Sequence, residues 1–418
     1  MTGQRSLLAV GPDAGRTGPP RLLASLLAEL TAGGELDRSR TRVLLAADGP
    51  LRPDLARHAT VRVLGPACRL AGPAAARLHP VLRAAGDRLG VDIGLLAHPM
   101  RSDPGPPEVV WANGAGAVRM AAALPRTARR QPMVAHIQEL EIGLRRSLAD
   151  SDPRRLLGRA AVIVAVSDQV RTHLVDDLGV PPDRIAVHRG WITRATGVTT
   201  ETDAERPHTP AGWPDQVPAD ALVVGGCGAI GWRKGTDLFL ELARALPRSI
   251  DDRPVHLVWV GGPARSGDDR RARDDAVLRG VADRAHLVGE VTDTERWLAR
   301  FDVLALTSRE DPFPLVVLEA GSLGVPVVGF RSGGIVEAIP AVDHEACVTG
   351  LFDIEGLAER VRVLLGSEVE RTKRGQSLHR RVEDRHLAGP CVSALWADVS
   401  RRLGWGAATG GAPETEDA

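Results

Sequence analysis

The sequence predicts an α/β protein built from two Rossmann-like parallel-sheet units that face each other across a cleft. Two observations carry that expectation. Short, near-continuous aliphatic and β-branched runs alternate with helix-period segments from the N-terminus to about residue 365, and the alternation breaks once, over 193–220, in a stretch rich in Thr, Pro, Asp and Glu. Runs apolar on both faces belong to strands covered by helices on each side, the habit of parallel sheets. A length of 418 residues agrees with this, because domains run to about 100–200 residues each.

Each element follows from its own stretch of chain. In the first half, strands are expected at 6–10, 42–46, 60–64, 109–112, 133–137, 161–166 and 185–188, with amphipathic helices such as 21–30, 115–124 and 169–178 between them. After residue 221 the pattern starts again, with strands at 222–225, 255–260, 286–288, 303–307 and 325–329 and helices near 237–246, 315–323 and 355–365. The expected limits are therefore 1–192 for the first unit, 193–220 for a linker or surface excursion, and 221–385 for the second unit. A further helix is expected over 386–403, and the Gly/Ala-rich, acidic-ended stretch 404–418 has the composition of a disordered tail. Ligands of open α/β sheets collect beyond the carboxyl ends of the strands, so function belongs in the loops found there.

Composition removes several function classes. The 53 basic and 53 acidic side chains cancel, leaving no net attraction for nucleic acid or an anionic membrane. Aromatic residues make up 3% and Tyr is absent, which leaves little for stacking single strands. Cys68, Cys227, Cys347 and Cys391 are widely spaced with no C-x-x-C pair, so neither a zinc site nor a disulfide framework is indicated, and a reducing cytoplasm fits. The apolar stretch 6–10 is too short for a signal segment and no run approaches the ~18 residues that span a bilayer, so a soluble protein is expected. Among all the basic residues only Lys234 and Lys373 are lysines. A lysine kept in a chain that otherwise uses arginine is a candidate for a role that needs one.

The densest constellation is Ser308-Arg309-Glu310-Asp311-Pro312-Phe313-Pro314-Leu315, followed by Glu319. A strand runs into a Pro-rich turn and then a helix, with Pro314 expected in the first helical turn, where a missing N–H costs nothing. The free amides and positive end of that helix suit a phosphate. Glu319, a turn further in, can accept from both hydroxyls of a ribose, and Asp311, in the preceding loop, can reach another part of the same ligand. The plainer reading is an acid that complements the dipole and an ordinary helix glutamate. The second constellation is Gly225-Gly226-Cys227-Gly228-Ala229-Ile230-Gly231-Trp232-Arg233-Lys234-Gly235-Thr236-Asp237, between a strand and a helix. Its glycines allow close approach of a ligand, and Arg233 and Lys234 offer adjacent cations for a diphosphate. On this reading, replacing Lys234 by Ala loses most activity and leaves folding normal.

Together the two constellations resemble the retaining glycosyltransferases of family four, which adopt the GT-B fold. The likeness rests on Gly231-Trp232-Arg233-Lys234-Gly235-Thr236-Asp237-Leu238-Phe239 and on Asp311-x7-Glu319 within S-R-E-D-P-F-P-L-V-V-L-E-A-G-S-L-G-V-P-V-V. It extends more loosely to Gly15-Arg16-Thr17-Gly18-Pro19-Pro20, Trp111-Ala112-Asn113, His136-Ile137-Gln138-Glu139-Leu140 and Ala165-Val166-Ser167, about 350 residues in order. The resemblance implies transfer of a sugar from a nucleotide-diphosphate sugar to an acceptor hydroxyl, with retention at the anomeric carbon and with no metal or other cofactor. It implies that Arg233 and Lys234 neutralise the diphosphate, Asp311 addresses the sugar, and His136 or Gln138 contacts the transferred sugar. Donor contacts are implied at Gly18, Gly228, Gly231, Gly289, Val291, Pro312, Phe313, Pro314, Leu315 and Glu319. The implied partners are the nucleotide sugar and a small-molecule, glycan or lipid-linked acceptor.

Two positions depart from the family pattern. Gly228 and Ala229 stand where many relatives carry an Arg in a G-R-L stretch, and Gln138 stands where many have the His of H-E-L. Gln138 slightly favours the alternative function, a nucleotide-sugar-binding protein of the same fold without transfer activity. A nicotinamide oxidoreductase comes third, because its third glycine and its acid roughly 20 residues on are not cleanly placed. The arginines at 145, 146, 154, 155 and 159 are interrupted by Asp150 and Asp152 and are taken as a solvated face rather than a membrane contact.

Overall fold

The computed structural model describes residues 4–64, 105–148, 151–194 and 209–405. The chain divides into two compact units, one formed by Met1–Val166, Arg171–His188 and Gly389–Ala418, the other by Ser167–Val170 and Arg189–Ala388.

The first unit is built on a parallel sheet of β1 (Leu7–Gly11), β2 (Arg42–Leu45), β3 (Thr60–Val63), β4 (Val109–Asn113), β5 (Met133–Ile137), β6 (Val162–Ala165) and β7 (Ile185–Val187), in the order β3-β2-β1-β4-β5-β6-β7. Every residue of β1, β2, β4 and β6 is buried, as expected of strands sandwiched between helices. The Gly18–Ala32 helix packs on β4 and buries Leu22, Leu23, Leu26, Leu27 and Leu30, a stripe at helical spacing. The Ala388–Arg402 helix belongs to this unit too, although it follows the second unit in sequence. It is tied in by Trp396 Nε1 donating to Glu35 and by Asp398 against His188.

The second unit repeats the plan. Its strands are β8 (Leu222–Cys227), β9 (Ser249–Ile250), β10 (Arg253–Val260), β11 (Ala285–Gly289), β12 (Val303–Leu306), β13 (Val327–Phe330) and β14 (Val348–Thr349), in the order β11-β10-β8-β12-β13-β14, with β9 antiparallel to β10. Both sheets therefore wind outward in opposite directions from their first strand, β1 or β8. That makes the loops after β1 and β4, and after β8 and β12, the two topological switch points.

The expected strands all form, most with ends displaced by a residue or two. β12 stops at Leu306, one residue short of the expected end, and the Thr307 hydroxyl just beyond it donates to the Gly235 carbonyl. The helix expected over 169–178 is α-helical at Asp168–Thr172 and widens to a π turn at His173–Asp177. Of the expected linker, residues 209–220 pack on the second unit: the Trp213 ring lies 5.4 Å from Trp297, with the Arg300 guanidinium 5.2 Å over it. Residues 195–208, Asp150, Cys68 and most of the expected tail, from 406 onward, lie outside the described residues. Trp405, just inside, sits beneath the Arg5 guanidinium at 4.8 Å. Among the described residues no disulfide joins Cys227, Cys347 and Cys391. Among the described residues no helix is long and apolar enough to cross a membrane.

Candidate functional site

In the second unit the two sequence constellations come together at the switch point, because β8 and β12 are neighbours. The chain leaves β8 through Gly228, makes a short 3-10 turn at Trp232–Lys234, and enters the Thr236–Ala245 helix. Gly235 joins turn to helix in the left-handed region at φ 70°, and a Cβ there would collide with the Thr307 carbonyl. Gly228, at φ 141°, leaves room for the Lys234 methylenes, which pass 3.3 Å from where its Cβ would be. That close packing sends the lysine across to the other loop, where Nζ donates to Asp311 Oδ2 at 2.6 Å. Arg233 turns the same way and donates from Nη1 to the Glu310 carbonyl at 2.9 Å. Two cations thus converge on one short acidic stretch.

Asp311 is anchored on both sides. Its N–H donates to the Ser332 carbonyl at 3.0 Å, and its carbonyl accepts from the Gly334 N–H at 3.0 Å. Pro312, Phe313 and Pro314 are buried and Leu315 is half-buried, so what the three buried residues can offer a ligand is backbone. Phe313 is wedged against Gly190 and lies 5.5 Å from the His386 ring. Pro314 caps the Leu315–Ser322 helix from outside rather than occupying its first turn, because its ψ of 99° is extended. Glu319 is the fifth residue of that helix and is 7% exposed. Gly289 ends β11 at φ 86°, and its carbonyl accepts from Gly261 at 2.8 Å; Gly261 packs on Gly228. The carboxyl ends of β8, β10 and β11 are thereby drawn together, with Gly231 in the turn beyond β8 and half-buried Val291 in the loop beyond β11.

In the first unit, Gln138 lies just past β5, where its amide nitrogen donates to Asn113 Oδ1 at 2.8 Å. Asn113 Nδ2 in turn donates to the Pro19 carbonyl at 2.8 Å, next to Gly18 at the start of the Gly18–Ala32 helix. Glu139 accepts from the N–H groups of Ala115 and Gln138, which caps the Ala115–Ala122 helix. His136 behaves differently. It is 1% exposed, packs edge-on to Trp111 at 5.6 Å, and burial together with nearby His188 pushes its pKa down to about 3. The alternation expected to place it beside Gln138 stops with β5 at Ile137, so of the two only Gln138 stands at the strand's mouth.

Residues without an assigned role in the sequence reading also hold the site. Arg309 makes a two-pronged ion pair with Asp237 at 2.6 and 2.8 Å, and Thr307 bonds to Gly235. Both arginine and aspartate were visible inside the quoted motifs, but nothing in their spacing tells that they meet across 72 residues.

Two open sheets, each with its loops gathered at a switch point and one carrying paired cations beside an acid-x7-acid helix, define an α/β fold of two Rossmann-like units. The first half, residues 17–191, matches the family model "Glycosyl transferase 4-like domain", and residues 221–367 match "Glycosyl transferases group 1". The chain belongs to this glycosyltransferase family. It is 31% identical over 231 residues to D-inositol 3-phosphate glycosyltransferase 2 of Catenulispora acidiphila, covering 49% of this chain and 52% of that one. With the D-inositol 3-phosphate glycosyltransferase of Saccharomonospora viridis it shares 38% over 165 residues, 37% of each chain. The chain thus spans about half or less of the length of these relatives. Among solved structures, the Anabaena HepE protein in complex with UDP and glucose superposes with a TM-score of 0.71 at 18% identity, covering 95% of this chain and 100% of that one, which establishes the common GT-B fold.

Proposed function

We propose that this protein transfers a sugar from a nucleotide-diphosphate sugar to an acceptor hydroxyl with retention of anomeric configuration, and that it does so without a metal. The convergence of Lys234 and Arg233 on the Glu310–Asp311 stretch, beside the helix that carries Glu319, is the observation that supports this most directly. The bond from the anomeric carbon to the diphosphate oxygen breaks, and the nucleoside diphosphate leaves with the electron pair. The acceptor oxygen bonds to that carbon on the same face, and its proton passes to the departing phosphate. Lys234 and Arg233 stabilise the charge that grows on the leaving diphosphate, in place of a metal. Asp311 and the backbone after it address the sugar and phosphate, Glu319 holds the ribose, and Gln138 orients the transferred sugar. The solved HepE structures contain UDP and glucose or UDP-glucose, which makes UDP-sugars the first donors to try.

Incubation with UDP-, GDP- and dTDP-sugars tests the reading. Calorimetry reports donor binding, slow hydrolysis reports turnover, and proton NMR of the first-formed product reports the anomer. Turnover that survives EDTA is expected; complete loss restored by Mg²⁺ or Mn²⁺ removes the metal-free mechanism. Gln138, in place of the histidine many relatives carry, favours a second reading, a nucleotide-sugar-binding protein without transfer. Tight donor binding with no turnover toward water or any acceptor selects it.

A further inference from the structure

Four successive carbonyls of the lysine-bearing turn are held from one side. The Trp232 carbonyl accepts from Arg309 Nη1 at 2.6 Å, and the Arg233 carbonyl accepts from the Arg309 N–H at 2.9 Å. Those of Lys234 and Gly235 accept from Thr307 Oγ1 at 3.3 and 2.9 Å. Arg309 also grips the far end of the turn through both oxygens of Asp237, the second residue of the Thr236–Ala245 helix. Its guanidinium lies over the rings of Trp232 at 4.9 Å and Phe352 at 5.8 Å, two aromatic residues that are themselves about half exposed. Phe352 holds a left-handed backbone at φ 67°, uncommon for a residue with a side chain.

We infer that Arg309 and Asp237 form a clamp that positions Lys234 for the diphosphate. This rests on the proposed transfer and extends it to residues outside the donor-contacting set. An isolated exposed ion pair does little for a protein, but here one guanidinium spends its donors on both ends of a single turn while its own backbone fixes the middle. With the four carbonyls fixed, the lysine stem has one route, past Gly228 to Asp311. Without the clamp the turn is free to pivot about Gly231 and Gly235, and the ammonium loses its aim. A planar, five-donor group is needed at this place, which a lysine would not supply.

The chain's two lysines allow a direct test. Amine acylation followed by peptide mass spectrometry gives the reactivity of Lys234 relative to Lys373, the exposed lysine of the Glu368–Arg385 helix, in the same molecule. In the wild type, paired Lys234 is expected to react at least about 5-fold more slowly than Lys373. Arg309→Met keeps the stem beside the two rings and is expected to raise the relative reactivity of Lys234 about 3-fold or more, with Asp237→Asn as a second, milder variant. The activity test is a cycle of Arg309→Met, Lys234→Met and the double variant. Arg309→Met is expected to lower donor turnover about 10-fold, and the double variant to be no worse than Lys234→Met alone, since Arg309 acts through the lysine. Unchanged protection of Lys234 in both clamp variants, or losses that multiply in the double variant, overturns the clamp. A wild type without donor binding or turnover overturns the transfer reading instead, while the acylation ratio still decides whether Arg309 positions the lysine.

Discussion

Lys234 and Asp311, 77 residues apart in sequence, form an ion pair of 2.6 Å whose side chains are only 18% and 6% exposed. The pair joins the loops that follow β8 and β12, so it holds the switch point together as well as supplying charge. On the proposed reading, a nucleotide diphosphate takes the ammonium over from this carboxylate.

The pairing changes what Lys234→Ala is expected to do. Transfer activity falls by about 2–4 kcal/mol in transition-state stabilisation, as for removal of one strong donor to a leaving group. Folding does not stay normal, because the Asp311 carboxylate is left buried and uncompensated, at a cost of about 3 kcal/mol. The double variant Lys234→Ala/Asp311→Ala is expected to recover most of that stability and none of the activity. Urea unfolding and donor turnover on the three proteins separate the two effects. A single variant within a few-fold of wild type in kcat/KM would remove the diphosphate role.

Glu319→Ala tests the ribose assignment. A carboxylate accepting two hydroxyls contributes about 2–3 kcal/mol to nucleotide affinity, so binding of the free nucleoside diphosphate is expected to weaken roughly 30- to 150-fold by calorimetry. The wild type should also disfavour a 2′-deoxy donor, since a site built for two hydroxyls leaves an acceptor unmatched when one is missing. If the natural donor is a dTDP-sugar, only the 3′-hydroxyl remains and the second comparison loses force. Unchanged affinity in the variant would return Glu319 to the role of an ordinary helix residue.

Strand positions were legible because a buried parallel strand announces itself in a few consecutive residues: Leu7–Gly11 and Val162–Ala165 have hardly a polar atom to expose. The Glu368–Arg385 and Asp268–Leu278 helices gave no such sign. Each buries only a few small or apolar residues, such as Leu378 and Val382, among many charges, and their place is set by what they pack against. In the site, Asp311 and Glu319 share one helix and its loop, so spacing alone relates them. Gln138 to Asn113 and Arg309 to Asp237 are tertiary pairs, and no local pattern records which strand ends become neighbours. His136 lies inside β5 and is buried, whereas Gln138 lies just beyond the strand, and where a strand ends is not written in its alternation.

Two buried histidines predict an acid-sensitive fold. His136 and His386 are each 1% exposed, and burial, the largest cause in both cases, pushes them down from 6.5 to about 3 and about 4. Below pH 6.5 the unfolded chain takes up protons that the folded rings refuse, so this part of the stability is complete above 6.5 and is lost as pH falls toward 4. Each ring contributes a slope of about 1 kcal/mol per pH unit in that window. Urea midpoints at pH 7.5, 6 and 5 are expected to fall in order, and a midpoint flat across that range would contradict the burial of both rings.

Gln138 offers the sharpest separation between a residue that touches the sugar and one that merely fills the interior. Its amide is held by Asn113, which is held in turn by the first turn of the Gly18–Ala32 helix, so it stands at the mouth of β5 in a fixed orientation. His136 is enclosed with Trp111 and stays neutral at any ordinary pH. If the departing phosphate takes the acceptor proton, the first-unit residue need only orient the sugar, and an amide does this without titrating. Gln138→Ala is therefore expected to lower kcat about 10-fold with little change in nucleotide affinity, the mark of an interaction made mainly in the transition state. Gln138→His should keep activity and acquire a pH step near the ordinary imidazole value that the wild type lacks. His136→Ala should cost stability by opening a cavity beside Trp111 and leave kcat of the folded protein nearly intact. The opposite pattern, a silent Gln138→Ala and a folded but inactive His136→Ala, would move the sugar contact to His136 and require β5 to present its last residues differently when substrate is bound.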